Sequence, residues 1–177
     1  MSKRLIRLAI LSVCLALPQF LAGAGAVAQE TATYRDAKHA FALTYPRDWQ
    51  PVQFKDGPDF HVVAAGGKGP EDCNVIVTRV SGPAYLDRVS QNAMLNDIRQ
   101  AVPDAAFKEW RRQTLERRWG IYYVIDGTVP KQKLRQTTIG MQVVVGSKLY
   151  TVSCSAPAAS FEQQRPLLER IVASLSF

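Results

Sequence analysis

Thr137-Thr138-Ile139-Gly140-Met141-Gln142-Val143-Val144-Val145, then Gly146-Ser147-Lys148, then Leu149-Tyr150-Thr151-Val152-Ser153-Cys154-Ser155, is the stretch on which the fold turns. Two extended runs flank a Gly-Ser pair, which favours a tight hairpin of the primed type. Long antiparallel neighbours follow. Upstream, Trp119 to Gly127 carries Ile121, Tyr123 and Ile125 on one face, with Tyr122 and Val124 opposite. Before it, Phe107 to Thr114 alternates around Trp110. Downstream, Ser160-x-x-Gln163 has the form of a capping box. Phe161, Leu168, Ile171, Val172 and Leu175 then make the apolar stripe of a last helix. Pro166 interrupts that helix and predicts a restart after a short first turn.

The first half reads as short strands and one helix. Thr33-Tyr34-Arg35 is extended, and Asp36-Ala37-Lys38 turns the chain. Phe41, Leu43 and Tyr45 alternate with small residues as a strand that Pro46 ends. Val52 and Phe54 predict another strand, closed by the Asp56-Gly57-Pro58 turn. Phe60 to Ala65 is a further strand, broken by Gly66 to Pro70. Asn74 to Val80 has apolar residues on both faces, which predicts a central strand covered on two sides. Ser81-Gly82-Pro83 opens a single helix running to about Ala101, with Leu86, Val89, Ala93, Ile98 and Val102 on its inner stripe. The order of elements is that of an α+β fold, a mostly antiparallel β-sheet with helices packed on it.

The N-terminus reads as an export signal. Lys3, Arg4 and Arg7 precede the apolar run Leu8 to Leu17, and Ala26-Val27-Ala28 has the A-x-A form of a cleavage site before Gln29. Pro18 and Gln19 stop the run short of the roughly 20 residues of a spanning helix. Leu11-Ser12-Val13-Cys14 is a loose lipobox, but Val13 is not small. Cleavage gives a signal peptide of residues 1–28 and a single domain of residues 29–177, periplasmic or secreted. The chain has 22 basic and 15 acidic residues; loss of three basic ones leaves a mature charge of +4, which does not ask for nucleic acid. Cys14 leaves with the signal, so Cys73 and Cys154 remain as a pair in an oxidising compartment. They predict a disulfide joining two adjacent antiparallel strands at one end of the sheet. A redox pair or metal site is the alternative, but neither cysteine lies in a C-x-x-C and no His stands at ligand spacing.

The segment Phe41-Ala42-Leu43-Thr44-Tyr45-Pro46-Arg47-Asp48-Trp49 resembles the F-x-L-x-Y-P-x-x-W opening of PsbP-like and DcrB-like proteins. Asn74 to Val77 before a helix, the run Leu149 to Cys154, and the closing Arg165-Pro166-Leu167-Leu168 with Ile171 to Leu175 have counterparts there. The resemblance implies an α/β/α sandwich. It also implies an exported bacterial accessory or assembly factor without a known enzyme activity.

No motif calls for a cofactor or a metal. His39 and His61 are the only histidines, and His61 near Asp59 suggests a hydrolytic triad only if a serine joins them. No G-x-S-x-G elbow exposes one. Glu71-Asp72 and Asp56/Asp59 lack the offsets of a calcium loop, and Gly66-Gly67-Lys68-Gly69 lacks the P-loop's spacing. The distinctive feature is basic: Lys108, Arg111, Arg112, Arg117 and Arg118 surround Trp110 and Trp119, and Lys131, Lys133 and Arg135 follow. Alternation puts Lys108, Trp110 and Arg112 on one face and Arg111 on the other. Paired strands would gather these residues into a basic-aromatic face for an envelope protein or an anionic envelope component; the alternative is a charged edge that discourages aggregation. The function expected is a non-catalytic accessory or binding protein of the bacterial cell envelope. A small-molecule or lipid carrier with a pocket between sheet and helix is the alternative, and a hydrolase using His39 or His61 the second.

Overall fold

The computed structural model of the chain describes residues 29–64 and 71–177. The export signal, Cys14 and the Gly66–Pro70 break lie outside the described residues, as does the Ala65 end of the expected strand. The described chain forms β1 (Thr31–Asp36), β2 (Phe41–Pro46), β3 (Gln50–Pro51), β4 (Phe60–Val63) and β5 (Asp72–Arg79). Then come α1 (Tyr85–Arg88), α2 (Gln91–Ala101), β6 (Ala106–Leu115), β7 (Arg118–Val129), β8 (Leu134–Val145), β9 (Lys148–Pro157) and α3 (Phe161–Ala173). Seven strands make one antiparallel sheet in the order β3-β4-β5-β9-β8-β7-β6. β1 and β2 form a separate hairpin.

Alternation divides the sheet's two faces. On one, Cys73 and Val75 of β5, Tyr122 and Val124 of β7, Ile139, Met141 and Val143 of β8, and Tyr150 and Val152 of β9 are buried together. Phe161, Leu168, Ile171 and Val172 of α3 cover them, with Phe41, Leu43 and Tyr45 of the hairpin beside the helix. On the other face Ile121, Tyr123, Ile125 and Leu149 lie under α1 and α2. The result is the three-layer α/β/α arrangement.

The β8–β9 connection is the expected two-residue turn: Val145 pairs with Lys148, and Gly146 takes a positive φ of 62°. Lys148 belongs to β9 rather than to the turn. Cys73 stands opposite Cys154 in the β5–β9 register and is bonded to it, with Cα atoms 4.0 Å apart.

Several expectations are corrected. β2 does not join the main sheet; it lies over it, held by reciprocal backbone bonds between Ala42 and Ser176 of 2.9 and 3.0 Å. The Tyr150 hydroxyl also donates to the His39 carbonyl in the β1–β2 turn (2.6 Å). The strand expected at Val52 and Phe54 falls earlier, at Gln50–Pro51, on the sheet's edge where Pro51 lacks no ladder bond. β5 is covered on one face only, since Ile76 is 45% exposed. The expected single helix from Pro83 is two helices, because Val89 is extended (ψ 112°) and Ser90 starts a new one, its hydroxyl accepting the Ala93 N–H (3.1 Å). The first helix also starts later than Pro83, with Ala84 as its N-cap and no side-chain bond there. α3 runs through Pro166 without a restart. Pro166 forgoes only the bond to the carbonyl of Glu162, which lies on the exposed side of the helix. The capping box is not formed either: the Ser160 hydroxyl donates to Pro157 O instead.

A polar network ties α3 to the edge of the sheet. Arg165 donates to Glu109 of β6 (2.6 Å) and to Glu169 (2.9 Å), and Tyr122 donates to Glu169 (3.1 Å). Partial burial pushes the Glu109 carboxyl up, but hydrogen bonds and charge from Arg165 and Arg111 overcome it and hold the group below its ordinary range.

Two outcomes follow. The disulfide closes a separation of 81 residues, so Cys73→Ser with Cys154→Ser should lower unfolding free energy by about 4 kcal/mol on the chain-entropy account. Urea midpoints of oxidised protein and double variant measure this. Glu109→Gln should cost about 1 kcal/mol at neutral pH. A depressed folded-state pKa gives stability that is present above the unfolded value of about 4.3 and lost as pH falls through the folded one. The gap in melting temperature between Glu109→Gln and the parent should therefore close in acid; a gap that persists unchanged would point to packing instead.

Candidate functional site

The strand lengths decide where the basic residues go. β7 spans Arg118–Val129, so the β6–β7 turn and the β7–β8 turn lie at opposite ends of it. At about 3.4 Å per residue those ends are some 35–40 Å apart. Lys131, Lys133 and Arg135 therefore do not share a surface with Arg117 and Arg118, and the expected continuous basic-aromatic face is not formed.

A bulge also breaks the expected alternation. Register shifts between Phe107 and Glu109, so Lys108 is the extra residue of β6. Its ammonium lies 3.8 Å from Asp126, which shares the α3 face of β7 with Tyr122 and Val124. Lys108 is thus separated from Trp110, which faces the helices α1 and α2, half-buried and edge-on to Phe107 at 5.0 Å. Trp110 fills space under helices rather than offering a binding ring. Arg111 lies on the α3 face, as alternation predicts relative to Trp110: its guanidinium is 3.7 Å above the Tyr122 ring and pairs with Glu109. Arg135 is likewise committed, donating twice to the buried Asp126 at 3.1 and 2.6 Å, where Thr137 also donates (3.2 Å). Asp126 was not singled out by sequence, although a lone acid inside an apolar strand is a signal for such a partner.

What remains is the β6–β7 tip. Leu115 pairs with Arg118 across a two-residue turn, Glu116-Arg117. Both turn residues have positive φ, 45° and 65°. That is the geometry of a type I′ turn, where asparagine and glycine are favoured and other side chains are strained. Around it, Arg112 lies 4.5 Å over the exposed Trp119 ring and 3.7 Å from Asp87 of α1. Arg118 lies 5.4 Å over Phe177, and Glu116 accepts the Phe177 backbone N–H (3.2 Å). Arg118 is also 3.7 Å from Glu116. Arg117 is exposed and makes no ion pair among the described residues. The tip thus carries three arginines, two of them braced on aromatic rings. Sequence reading missed Glu116 and Phe177 because neither belongs to a motif; the positive φ of the turn has no glycine to announce it.

The histidines are placed for structure. His39 Nε2 is 3.0 Å from Asp59, whose other oxygen accepts the Val77 N–H (2.7 Å). His61 Nε2 is 2.9 Å from Asp72, under the stacked ring of Phe54. Burial pushes the Asp72 carboxyl up, against the lowering pull of His61 and of a hydrogen bond from Ser155. The serine therefore meets the acid, not the imidazole, and the nucleophile–base contact of a triad is not made at His61. Asp59 pairs with His39, not with His61. Asp59 and Asp72, two of the loop acids weighed for a cation, are held by these protein donors. Among the described residues no group of three or more His, Cys, Asp or Glu could hold a metal ion. No described helix is long and apolar enough to cross a membrane.

The PsbP family profile matches residues 29–177. A search of the curated proteins finds no significant match. Among solved structures, the solution structure of cyanobacterial PsbP (CyanoP) from Synechocystis sp. PCC 6803 is similar at a TM-score of 0.64 and 15% identity, covering 88% of this chain and 98% of that one. LpqN, described as involved in cell envelope biogenesis of Mycobacterium tuberculosis, is similar at 0.58 and 12%, covering 83% and 90%. The Saccharomyces cerevisiae Ran-binding protein Mog1p is similar at 0.58 and 9%, covering 84% and 96%. At these identities the structures speak for the fold alone. The profile match spans the whole domain from Gln29 to Phe177, and with the α/β/α architecture it shows that the chain belongs to the PsbP family.

Proposed function

We propose that this chain is an exported, non-catalytic accessory protein of the bacterial cell envelope that binds an anionic surface of its partner through the β6–β7 tip. The observation that carries the reading is the turn itself. Glu116 and Arg117 occupy left-handed backbone where glycine would be relaxed. Strain of this kind costs of order 1–3 kcal/mol per residue and is kept where it places a side chain. Here it places an exposed Arg117 at the turn, with Arg112 over Trp119 on one face of the hairpin and Arg118 over Phe177 on the other. Guanidinium groups offer several donors in a fixed plane and suit carboxylate or phosphate. Their ring contacts hold them ready, which lowers the ordering cost of binding.

Export is supported by the signal-like residues 1–28 and by a disulfide, which persists in oxidising compartments. Similar structures whose names give a role are described by envelope biogenesis or by a bound protein, which agrees with an accessory role.

Charge reversal of Arg112, Arg117 and Arg118 to Glu should reduce partner capture from envelope extract by about tenfold or more, the equivalent of 1.4 kcal/mol. Vesicles of phosphatidylglycerol supply a lipid arm: retention there, lost in the variant, assigns the partner to lipid. Unchanged capture in both arms removes the tip from consideration. Arg117→Gly separates strain from binding. It should raise unfolding free energy by about 1 kcal/mol while weakening capture. A variant more stable and equally active would end the argument from the turn.

A further inference from the structure

The second face of the sheet holds a pocket that the tip does not use. It lies between α2 and strands β7 to β9, with a volume of about 200 Å³. Its floor is made by one register row. Tyr123, Gly140 and Ser153 stand side by side on β7, β8 and β9. A Cβ on Gly140 would run into the Tyr123 ring, so the glycine lets that ring lie flat across β8. The Tyr123 hydroxyl thereby reaches Ser153 Oγ on the strand beyond, at 3.1 Å. A flat aromatic floor leaves room beneath the helix. Ile98 of α2 and Val102, the residue that caps it, form the roof, and Ile125 and Val129 stand on the wall.

The next row adds a second hydroxyl pair, Thr138 Oγ1 and Ser155 Oγ, 3.0 Å apart. Either hydroxyl of this pair can donate to the other. Thr138, which lines the pocket, keeps a lone pair to accept with in either case. In the Tyr123–Ser153 pair one hydroxyl donates to the other, and the second proton remains to be donated. The lining therefore combines hydroxyl donors and acceptors and the Gln136 side chain with apolar groups, the usual make-up of a small-molecule site.

We infer that this pocket binds a neutral, apolar small molecule bearing one hydroxyl, of the class of a phenol or a short-chain alcohol. Size sets the class. A dry cavity of about 150 Å³ holds a benzene ring, while drug-sized ligands need about 300 Å³ or more. Charge sets it too, because no ionised side chain lines the pocket. The hydroxyl is required because the floor has both a donor and an acceptor to satisfy. Entry passes by the roof. No residue of α2 is fully buried. The helix is fastened near its end by Arg99 donating to Ala105 O (3.0 Å) and by Asp104 accepting from Thr128 N (2.7 Å) and Oγ1 (2.8 Å). Loosely packed elements open at low cost.

The test is a titration of the disulfide-bonded domain, methyl-labelled for NMR, with p-cresol, toluene and benzoate. Saturable shifts centred on Ile98, Val102, Ile125 and Val129 are expected with p-cresol, and weaker binding with toluene and benzoate. Ser153→Ala should weaken p-cresol roughly tenfold, the upper range for one hydrogen bond, and leave toluene unchanged. Ile98→Trp, which fills the roof, should abolish binding; Val129→Phe on the facing strand does the same if the first variant fails to fold. Shifts scattered over the surface would overturn the site. Equal affinity for p-cresol and toluene, insensitive to Ser153→Ala, would overturn the role of the hydroxyl floor.

Discussion

Cys73 faces Cys154 across neighbouring antiparallel strands, and that register governs the rest of the molecule. A slip of one residue would turn Val75, Val152 and their neighbours away from α3 and expose the opposite set. The covalent bond forbids the slip at the junction of β5 with the four-stranded block β9-β8-β7-β6. From there the pairing is carried outward residue by residue. The row Tyr123–Gly140–Ser153, the row Ile125–Thr138–Ser155 and the β6–β7 tip all inherit their positions from it. Both halves of the sheet thus share one inner face, and a single helix with a hairpin covers it.

The charged groups follow a different rule. Most of them are not an interaction surface but a set of local closures. Asp126 is nearly buried and is satisfied by Arg135 and Thr137. Asp104 takes two bonds from Thr128 and in this way fixes the exit of α2. Glu109 links the outer strand to α3 through Arg165. Exposed pairs such as Arg112 with Asp87 add little to stability. The outer strand β6 therefore carries much charge and little free charge, which suits a ten-residue edge that must not template aggregation. At the tip, Arg112 and Arg118 have acidic neighbours and Arg117 has none among the described residues.

Much of the fold was legible in the sequence because its signals are local. Gly146 announces the β8–β9 turn, and alternation announces the strands beside it. The cysteine pair was legible once residues 1–28 were read as an export signal. The failures have physical reasons too. Ser90 is a good cap, but the apolar stripe through Val89 hid the break between α1 and α2. Pro166 is a strong breaker in principle, yet an exposed carbonyl at Glu162 makes its omission cheap. The bulge at Lys108 leaves no mark on composition, so one residue of the basic segment was assigned to the wrong face. The candidate site was less legible than the fold. Arg112, Arg117 and Arg118 were singled out; Glu116 and Phe177, which brace them, were not, because contacts across 61 residues leave no local pattern. The pocket floor was hidden for the same reason: its three members come from three strands.

The strand order has a consequence for how the chain comes into being. β5 pairs with β9, whose residues follow it by some seventy positions, and α3 comes later still. Until those last segments are supplied, β3, β4 and β5 have no partner beyond themselves and the inner face has no lid. Pairings of such long separation form slowly, since the entropy of closing the loop precedes any return. The consecutive strands β6 to β9 pair with their sequence neighbours and close locally, whereas β5 must wait for β9. The β5–β9 register is also what sets Cys73 opposite Cys154, so the disulfide spans the sheet's most distant strand pairing.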